Sequence, residues 1–198
     1  MKPYAGSCDE NREPILEVLK QELANRWHLL EIGSGTGQHA VYLAGEFPEL
    51  VWQTSEVPEM LEGIHAWLAD DNSPSNILPP LHLDVCNGTW PDARYDAVFS
   101  ANTVHIISWP QAQCLFSGVG KVLEPGGIFC LYGPFNYNGK YTSESNEAFD
   151  EWLKLRDPLS GIRDFEALNE LAADAGMELK KDYEMPANNR ILTWLKAR

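Results

Sequence analysis

Apolar residues along this chain come in two kinds of run: short continuous ones, and longer ones that recur every three or four positions. His28-Leu29-Leu30-Glu31-Ile32 is the first short run and reads as a buried strand. Helical spacing follows from Gln38 to about Phe47, and a second short strand covers Leu50 to Thr54. Pro58 to Asn72 places Leu61, Ile64, Trp67 and Leu68 on one helical face, and residues 73–80 read as a loop. Leu81 to Val85 and Tyr95 to Ala101 are the third and fourth strands. Ser108 reads as an N-cap, with Pro110 in the first turn of a helix that runs to Leu123. Glu124-Pro125-Gly126-Gly127 ends that helix, and Ile128 to Tyr132 is the fifth strand. From Trp27 to about Gly133 the alternation is that of stacked βαβ units on a parallel sheet.

The alternation breaks after Gly133. Residues 134–163 carry Phe135, Tyr137, Tyr141, Phe149 and Trp152 among Asn, Gly and Ser. They read as an insertion, part loop and part helix (Asn146 to Arg156), and as a candidate lid over a ligand. Asp164 is expected to cap a helix that ends before Gly176. Met177 to Tyr183 and Arg190 to Lys196 then form two strands whose short connection predicts an antiparallel hairpin at a sheet edge. Residues 1–26 form an arm and a helix, Glu13 to Ala24. At 198 residues the expectation is one domain spanning 1–198.

The chemistry-bearing motif is Glu31-Ile32-Gly33-Ser34-Gly35-Thr36-Gly37, between a strand and a helix. Glycines let backbone turn tightly and approach a ligand with no Cβ in the way, and ligands of open α/β sheets sit at the carboxyl ends of the strands. A dinucleotide fingerprint wants its third glycine one residue later, where Gln38 stands, and a P-loop requires a lysine that is absent.

E-x-G-x-G-x-G after a first buried strand resembles the first motif of class I S-adenosylmethionine (SAM)-dependent methyltransferases. Leu123-Glu124-Pro125-Gly126-Gly127 is similar to that superfamily's turn before strand five. The whole chain looks most like a branch of methyltransferase-like proteins of unknown function, on Glu10 to Leu16, Asn102 to Ile106 and Gly161 to Asp164. The resemblance implies a Rossmann-like α/β class I methyltransferase fold: a seven-stranded, mostly parallel sheet with an antiparallel C-terminal hairpin. It also implies SAM as cofactor and S-adenosylhomocysteine as product. The cofactor residues it points to are Glu31, Gly33, Ser34, Gly35, Gly37, Glu56, Asp84, Val85 and Asn102. Glu56, 19 residues past Gly37, stands where the family places a ribose-binding acid, with Ser55 and Thr54 as neighbouring registers. Asp84 stands at the adenine position, and Asn102 near the methionine end. SAM carries a sulfonium, an ammonium and a diol but no phosphate, so carboxylates and carbonyls suit it.

The acceptor side is less defined. Residues 100–109 lack the Asn/Asp-Pro-Pro-Tyr signature of amide- and nucleobase-methylating enzymes. His105 is the candidate general base, since imidazole titrates near neutrality, with a packed or capping histidine as the alternative. Tyr137, Tyr141 and Trp152 are candidate acceptor contacts, or else they pack the added helix. Tyr4 and Arg12 are candidates to fold over the cofactor, and Arg163 either pairs with an acidic acceptor or stays within Asp164's neighbourhood.

A net charge of −14, with no run among the 15 basic residues, disfavours nucleic acid. No apolar stretch approaches the roughly 20 residues of a membrane span, and residues 1–7 contain no apolar core of a secretory signal. Cysteines at 8, 86, 114 and 130 contain no C-x-x-C pair, so reduced thiols in a cytoplasmic protein are expected, with no metal site. The reading is methyl transfer from SAM to a small-molecule acceptor. The alternatives are a noncatalytic SAM- or nucleoside-binding regulatory module and, third, an NAD-dependent oxidoreductase.

Overall fold

The computed structural model describes residues 2–198. In chain order the strands are β1 (His28–Ile32), β2 (Val51–Glu56), β3 (Ile77–His82), β4 (Tyr95–Ala101) and β5 (Leu123–Gly133), then β6 (Phe135–Asn136), β7 (Arg163–Asp164), β8 (Met177–Glu184) and β9 (Arg190–Lys196). The helices are α1 (Gly6–Glu22), α2 (Gln38–Glu46), α3 (Leu61–Leu68), α4 (Trp109–Val122), α5 (Glu144–Arg156) and α6 (Phe165–Asp174). The main sheet has seven strands in the order β3-β2-β1-β4-β5-β9-β8. The first five are parallel, β9 runs antiparallel to β5, and β8 runs antiparallel to β9. β6 and β7 form a separate two-strand parallel ladder.

Both faces of this sheet are covered, which is why its central strands are mostly apolar on both sides, with Glu31 and Ser100 the buried polar exceptions. Successive residues point to opposite faces. Leu30, Val98, Phe129 and Leu131 pack under α4 and α6, on Leu115, Phe116, Val119 and Leu168. Leu29, Ala97, Phe99, Ile128 and Cys130 pack under α1 and α2, on Ile15, Leu19, Leu43 and Ala44. Phe116, Phe129 and Trp194 close the first layer with ring centroids 5.4–5.6 Å apart.

The chain order reverses direction between β1 and β4, so the crevice for a ligand opens at the carboxyl ends of these two strands. Gly33–Gly37 leaves β1 there and Asn102 leaves β4. α4 starts from a capping box, Ser108 Oγ accepting from the Gln111 N–H while the Gln111 side chain returns to the Ser108 N–H.

Several elements depart from the sequence expectation. α1 begins at Gly6, seven residues before Glu13, and continues through Pro14. Its early turns are held from outside, because Gln38 Oε1 accepts the Ala5 N–H at 2.6 Å and Asn11 Oδ1 meets His39 Nε2 at 2.7 Å. β2 extends to Glu56, and β3 starts at Ile77, inside the segment read as loop. The helix expected over 58–72 is a short 3₁₀ turn followed by α3. Asp164 occupies the N-cap position of α6 without a side-chain cap bond; its Oδ1 is buried and unpartnered.

The cysteine expectation is overturned. Cys86, on the turn after β3, is disulfide-bonded to Cys114 on α4, with Cα atoms 5.2 Å apart. A separation of 28 residues gave no sign of this, because only the packing of that turn on α4 brings the two together. Cys8 and Cys130 are free and buried.

Candidate active site

Gly33, Gly35 and Gly37 all take positive φ (71°, 56° and 88°), which explains glycine at alternate positions. Their surroundings differ. A Cβ on Gly33 would meet Thr103 Oγ1 at 2.4 Å, and one on Gly37 would meet the Ile64 backbone at 3.2 Å. A Cβ on Gly35 meets nothing within 4 Å. Two of the glycines therefore seat the loop against the turn after β4 and against α3, while Gly35 borders open space.

Carboxylates hold the loop from two sides. Glu56 Oε2 accepts the Gly35 N–H at 2.8 Å, and Oε1 accepts the Val57 N–H at 2.9 Å. The bond from Gly35 goes to Glu56, not to Ser55 or Thr54. Ser55 Oγ instead donates to the Glu31 carbonyl, and Thr54 is fully buried. Beneath the loop, Glu31 Oε2 accepts from Ser34 Oγ at 2.9 Å and Trp52 Nε1 at 3.0 Å. Burial pushes the Glu31 carboxyl up to about 7, against the pull of those two donors.

Asp84 turns inward on its own segment. Its Oδ1 accepts the Cys86 and Asn87 N–H groups at 2.9 and 3.0 Å, and these backbone donors lower its pKa. Val85 follows, its carbonyl accepting from Trp90 Nε1 at 3.0 Å. Asn102 takes the left-handed conformation (φ 54°) and donates its N–H to the Tyr132 carbonyl at 3.0 Å.

Two adjoining cavities open beside Asn102. One, of about 420 Å³, is lined by Ser7, Glu10, Asn11, Tyr132, Asn146 and Phe149, among others. The other, of about 530 Å³, is lined by His105, Ile106, Phe149, Trp152 and Arg156, among others; both share Ser7, Asn102 and Phe149. Neither reaches Gly35, Glu56 or Asp84. Gly35 and Thr36 open on a separate hollow of about 380 Å³ with Pro3, Glu59 and Gly63.

His105 is 3% exposed, and burial lowers its pKa to about 4, with the Arg163 charge adding to the shift. Its Nδ1 makes no hydrogen bond and would lie 3.3 Å from a Cβ added to Gly133. The imidazole is thus neutral at pH 7 and edge-on to Phe149, centroids 5.5 Å apart.

Of the sequence candidates for acceptor contact, the structure brings Trp152 to the cavities together with Asn102 and His105. Tyr137 stacks on Phe165 and donates its hydroxyl to Asp182 at 2.7 Å, so it belongs to the packing of α6 and β8. Tyr141 donates to Asp150 Oδ2 at 2.7 Å. Arg12 pairs with Asp9 at 2.7 Å and lies over Tyr42, while the hydroxyl of the exposed Tyr4 also bonds Asp9. Both line a different hollow of about 270 Å³. Arg163 donates to the carbonyls of Val104, Ile107 and Leu159, which ties the end of the insertion to the turn after β4.

Ser7, Glu10 and Asn11 are not among the sequence candidates, because apolar spacing places the helix start at Glu13 and not Gly6, and neither is Asp150. That buried carboxylate accepts from Tyr141, Lys154 and the Ile162 N–H and organises the insertion around α5. Three acidic or polar residues at helical spacing on an amphipathic segment gave no distinguishing signal.

The fold is that of SAM-dependent methyltransferases. An O-methyltransferase family protein from Burkholderia thailandensis superposes with a TM-score of 0.82 at 12% identity, over 93% of this chain and 56% of that one. The SAM-dependent methyltransferase SibL gives 0.81 at 20% identity, over 97% and 56%. Human N-acetylserotonin methyltransferase, in complex with SAM, gives 0.74 at 14%, over 94% and 55%. The chain therefore spans a little over half the length of these structures. Among the described residues no helix is long and apolar enough to cross a membrane. A family described as "Protein of unknown function (DUF938)" matches residues 2–196, and the chain belongs to that family.

Proposed function

We propose that this chain binds SAM along Gly33–Gly37 and transfers its methyl group to a small-molecule acceptor, releasing S-adenosylhomocysteine. The observation that carries the reading is Gly35. Its backbone N–H is fixed by the Glu56 carboxylate, while the space its missing Cβ would occupy is empty. That is backbone a ligand can approach without meeting a side chain, bordered by an acid suited to a diol. Two fold neighbours are described as bound to SAM or S-adenosylhomocysteine, human N-acetylserotonin methyltransferase and PigF.

In this reading Glu56 accepts the ribose hydroxyls through lone pairs left over from Gly35 and Val57. Asp84 and Val85 border the adenine, and Glu31, Ser34 and Asn102 face the methionine end. When bound, SAM supplies an electrophilic methyl on a sulfonium. The cavities beside Asn102 hold the acceptor so that its lone pair points at that methyl, and exclusion of water there favours the displacement. Transfer would form the bond from acceptor to methyl as the carbon–sulfur bond breaks, its electron pair staying on sulfur. Where the acceptor enters protonated, His105, which lines that cavity with an unpartnered Nδ1, is the candidate to take the proton, as a base weakened by burial. The net charge of −14 weighs against a nucleic-acid partner, while the Cys86–Cys114 disulfide weighs against the cytoplasm expected from the cysteine spacing.

Calorimetric titration with S-adenosylhomocysteine and NAD tests the cofactor. Micromolar-range affinity, about −8 kcal/mol, is expected for the former and none for the latter; tighter NAD binding overturns the reading. Transfer of labelled methyl from SAM into a cell extract then separates an enzyme from a binding module.

A further inference from the structure

α5 carries Phe149, Trp152 and Arg156 at spacings of three and four, on one face. The rings of Phe149 and Trp152 stack with centroids 5.7 Å apart and planes 17° from parallel. The Arg156 guanidinium lies 4.6 Å over the Trp152 ring, and His105 meets Phe149 at the other end. His105, Phe149, Trp152 and Arg156 thus form one continuous wall of the 530 Å³ cavity, from a buried imidazole to an exposed guanidinium.

Arg156 also differs from five of the other six arginines, and only Arg198 shares its lack of bonded donors among the described residues. Arg12, Arg26, Arg94, Arg163 and Arg190 each spend guanidinium donors on protein oxygens. Arg156 spends none, and it joins none of the ion pairs among the described residues. Asp157 also reaches the cavity, but its Oδ1 is held by the Leu159 N–H at 2.9 Å. In a chain of net charge −14, an anion would approach this cavity only if a local cation favoured it. A flat aromatic wall suits a planar ring, and a free guanidinium fork suits an oxyanion.

We propose that the acceptor is a planar ring compound carrying an oxyanion, and that Arg156 selects it. This rests on the methyl-transfer reading, with the acceptor's nucleophile at the His105 end and its anionic group at the mouth.

The test uses the full chain and calorimetry with 4-hydroxybenzoate, 4-hydroxyphenyl phosphate and the neutral 4-hydroxybenzamide, each with and without S-adenosylhomocysteine. At least one oxyanion is expected to bind about tenfold or more tighter than the amide, and the carboxylate and phosphate arms say which oxyanion is preferred. Arg156→Gln should remove that preference and leave amide affinity within about threefold. Lys140→Gln, which makes the same change in net charge on an exposed turn, should keep it. Equal affinity for charged and neutral probes, a preference that survives Arg156→Gln, or no binding of any probe overturns the proposal. Failure of S-adenosylhomocysteine to bind, with the oxyanion preference intact, would instead remove the methyl-transfer reading alone.

Discussion

Glu31 shows how one residue's burial becomes a measurable property. Its carboxyl is pushed up to about 7 by burial, so the neutral form is the one the fold prefers. A raised acid pKa gives stability that is full below the unfolded value near 4.5 and is lost as pH rises through about 7. Glu31→Gln, neutral at every pH, should therefore gain on the parent by roughly 2–3 kcal/mol between pH 5 and pH 8 in urea unfolding. Parallel pH profiles would show that Glu31 is charged throughout. His105 and His39 carry the opposite sign. Burial lowers both to about 4, so their contribution is full above 6.5 and is lost as pH falls through 4. At the same scale, Glu56→Ala should weaken S-adenosylhomocysteine by about 1.5–3 kcal/mol, read by calorimetry. The loop glycines and Glu56 were legible because their spacing is local and their chemistry restrictive. Tyr137 stayed open between ligand contact and packing because an aromatic in a loop looks the same whether it faces a ligand or Phe165; only α6 and Asp182 decide it.

At the scale of elements, β1 and β4 were legible to the residue, as was the capped start of α4. β3 was not, because Pro79 and Pro80 lack ladder donors and signal a loop. The strand survives at the sheet edge, with a register shift between Gln53 and Ser55, because β2 side chains supply the bonds. Gln53 Nε2 donates to the Pro79 carbonyl at 2.7 Å, and Thr54 Oγ1 donates to the Leu78 carbonyl at 3.3 Å. The turn after β3 is then fixed to α4 twice, by the Cys86–Cys114 disulfide and by Trp90 lying flat on Gly118, where a Cβ would fall 1.9 Å from the indole. Breaking the covalent tie with Cys114→Ser should cost about 3–4 kcal/mol by loop-closure entropy. Reductant should have the same effect on the parent and none on the variant, measured by denaturant midpoint. Gly118→Ala should destabilise by about 1–3 kcal/mol, because the indole has to leave its seat.

Over the whole molecule, the parallel order and the terminal hairpin followed from the alternation of short and periodic apolar runs, since each βα unit writes its own period. The placement of α1 over the strand ends did not, because it depends on contacts such as Ala5 with Gln38 that lie 33 residues apart. A ligand that binds only the folded chain stabilises all of it. S-adenosylhomocysteine at a hundredfold its dissociation constant should add about 2.7 kcal/mol and raise Tm by roughly 5–10 °C. Gly35→Val, strained at φ 56°, should lower the unliganded Tm by several degrees and lose the ligand shift; a ligand shift equal to the parent's would move the cofactor elsewhere. The strand order has one more consequence, for solubility. A seven-stranded open sheet exposes two rims, β3 and β8, each a template on which another chain can polymerise. Pro79 and Pro80 deny donors to an incoming strand on one rim. On the other, Lys180-Lys181-Asp182 and a bulge between Leu179 and Lys181 set charge and twist against it. Replacing Lys181 by threonine, with Lys180 left on the buried Glu22 carboxylate, should therefore promote fibril formation, read by thioflavin fluorescence, even where the native fold is retained.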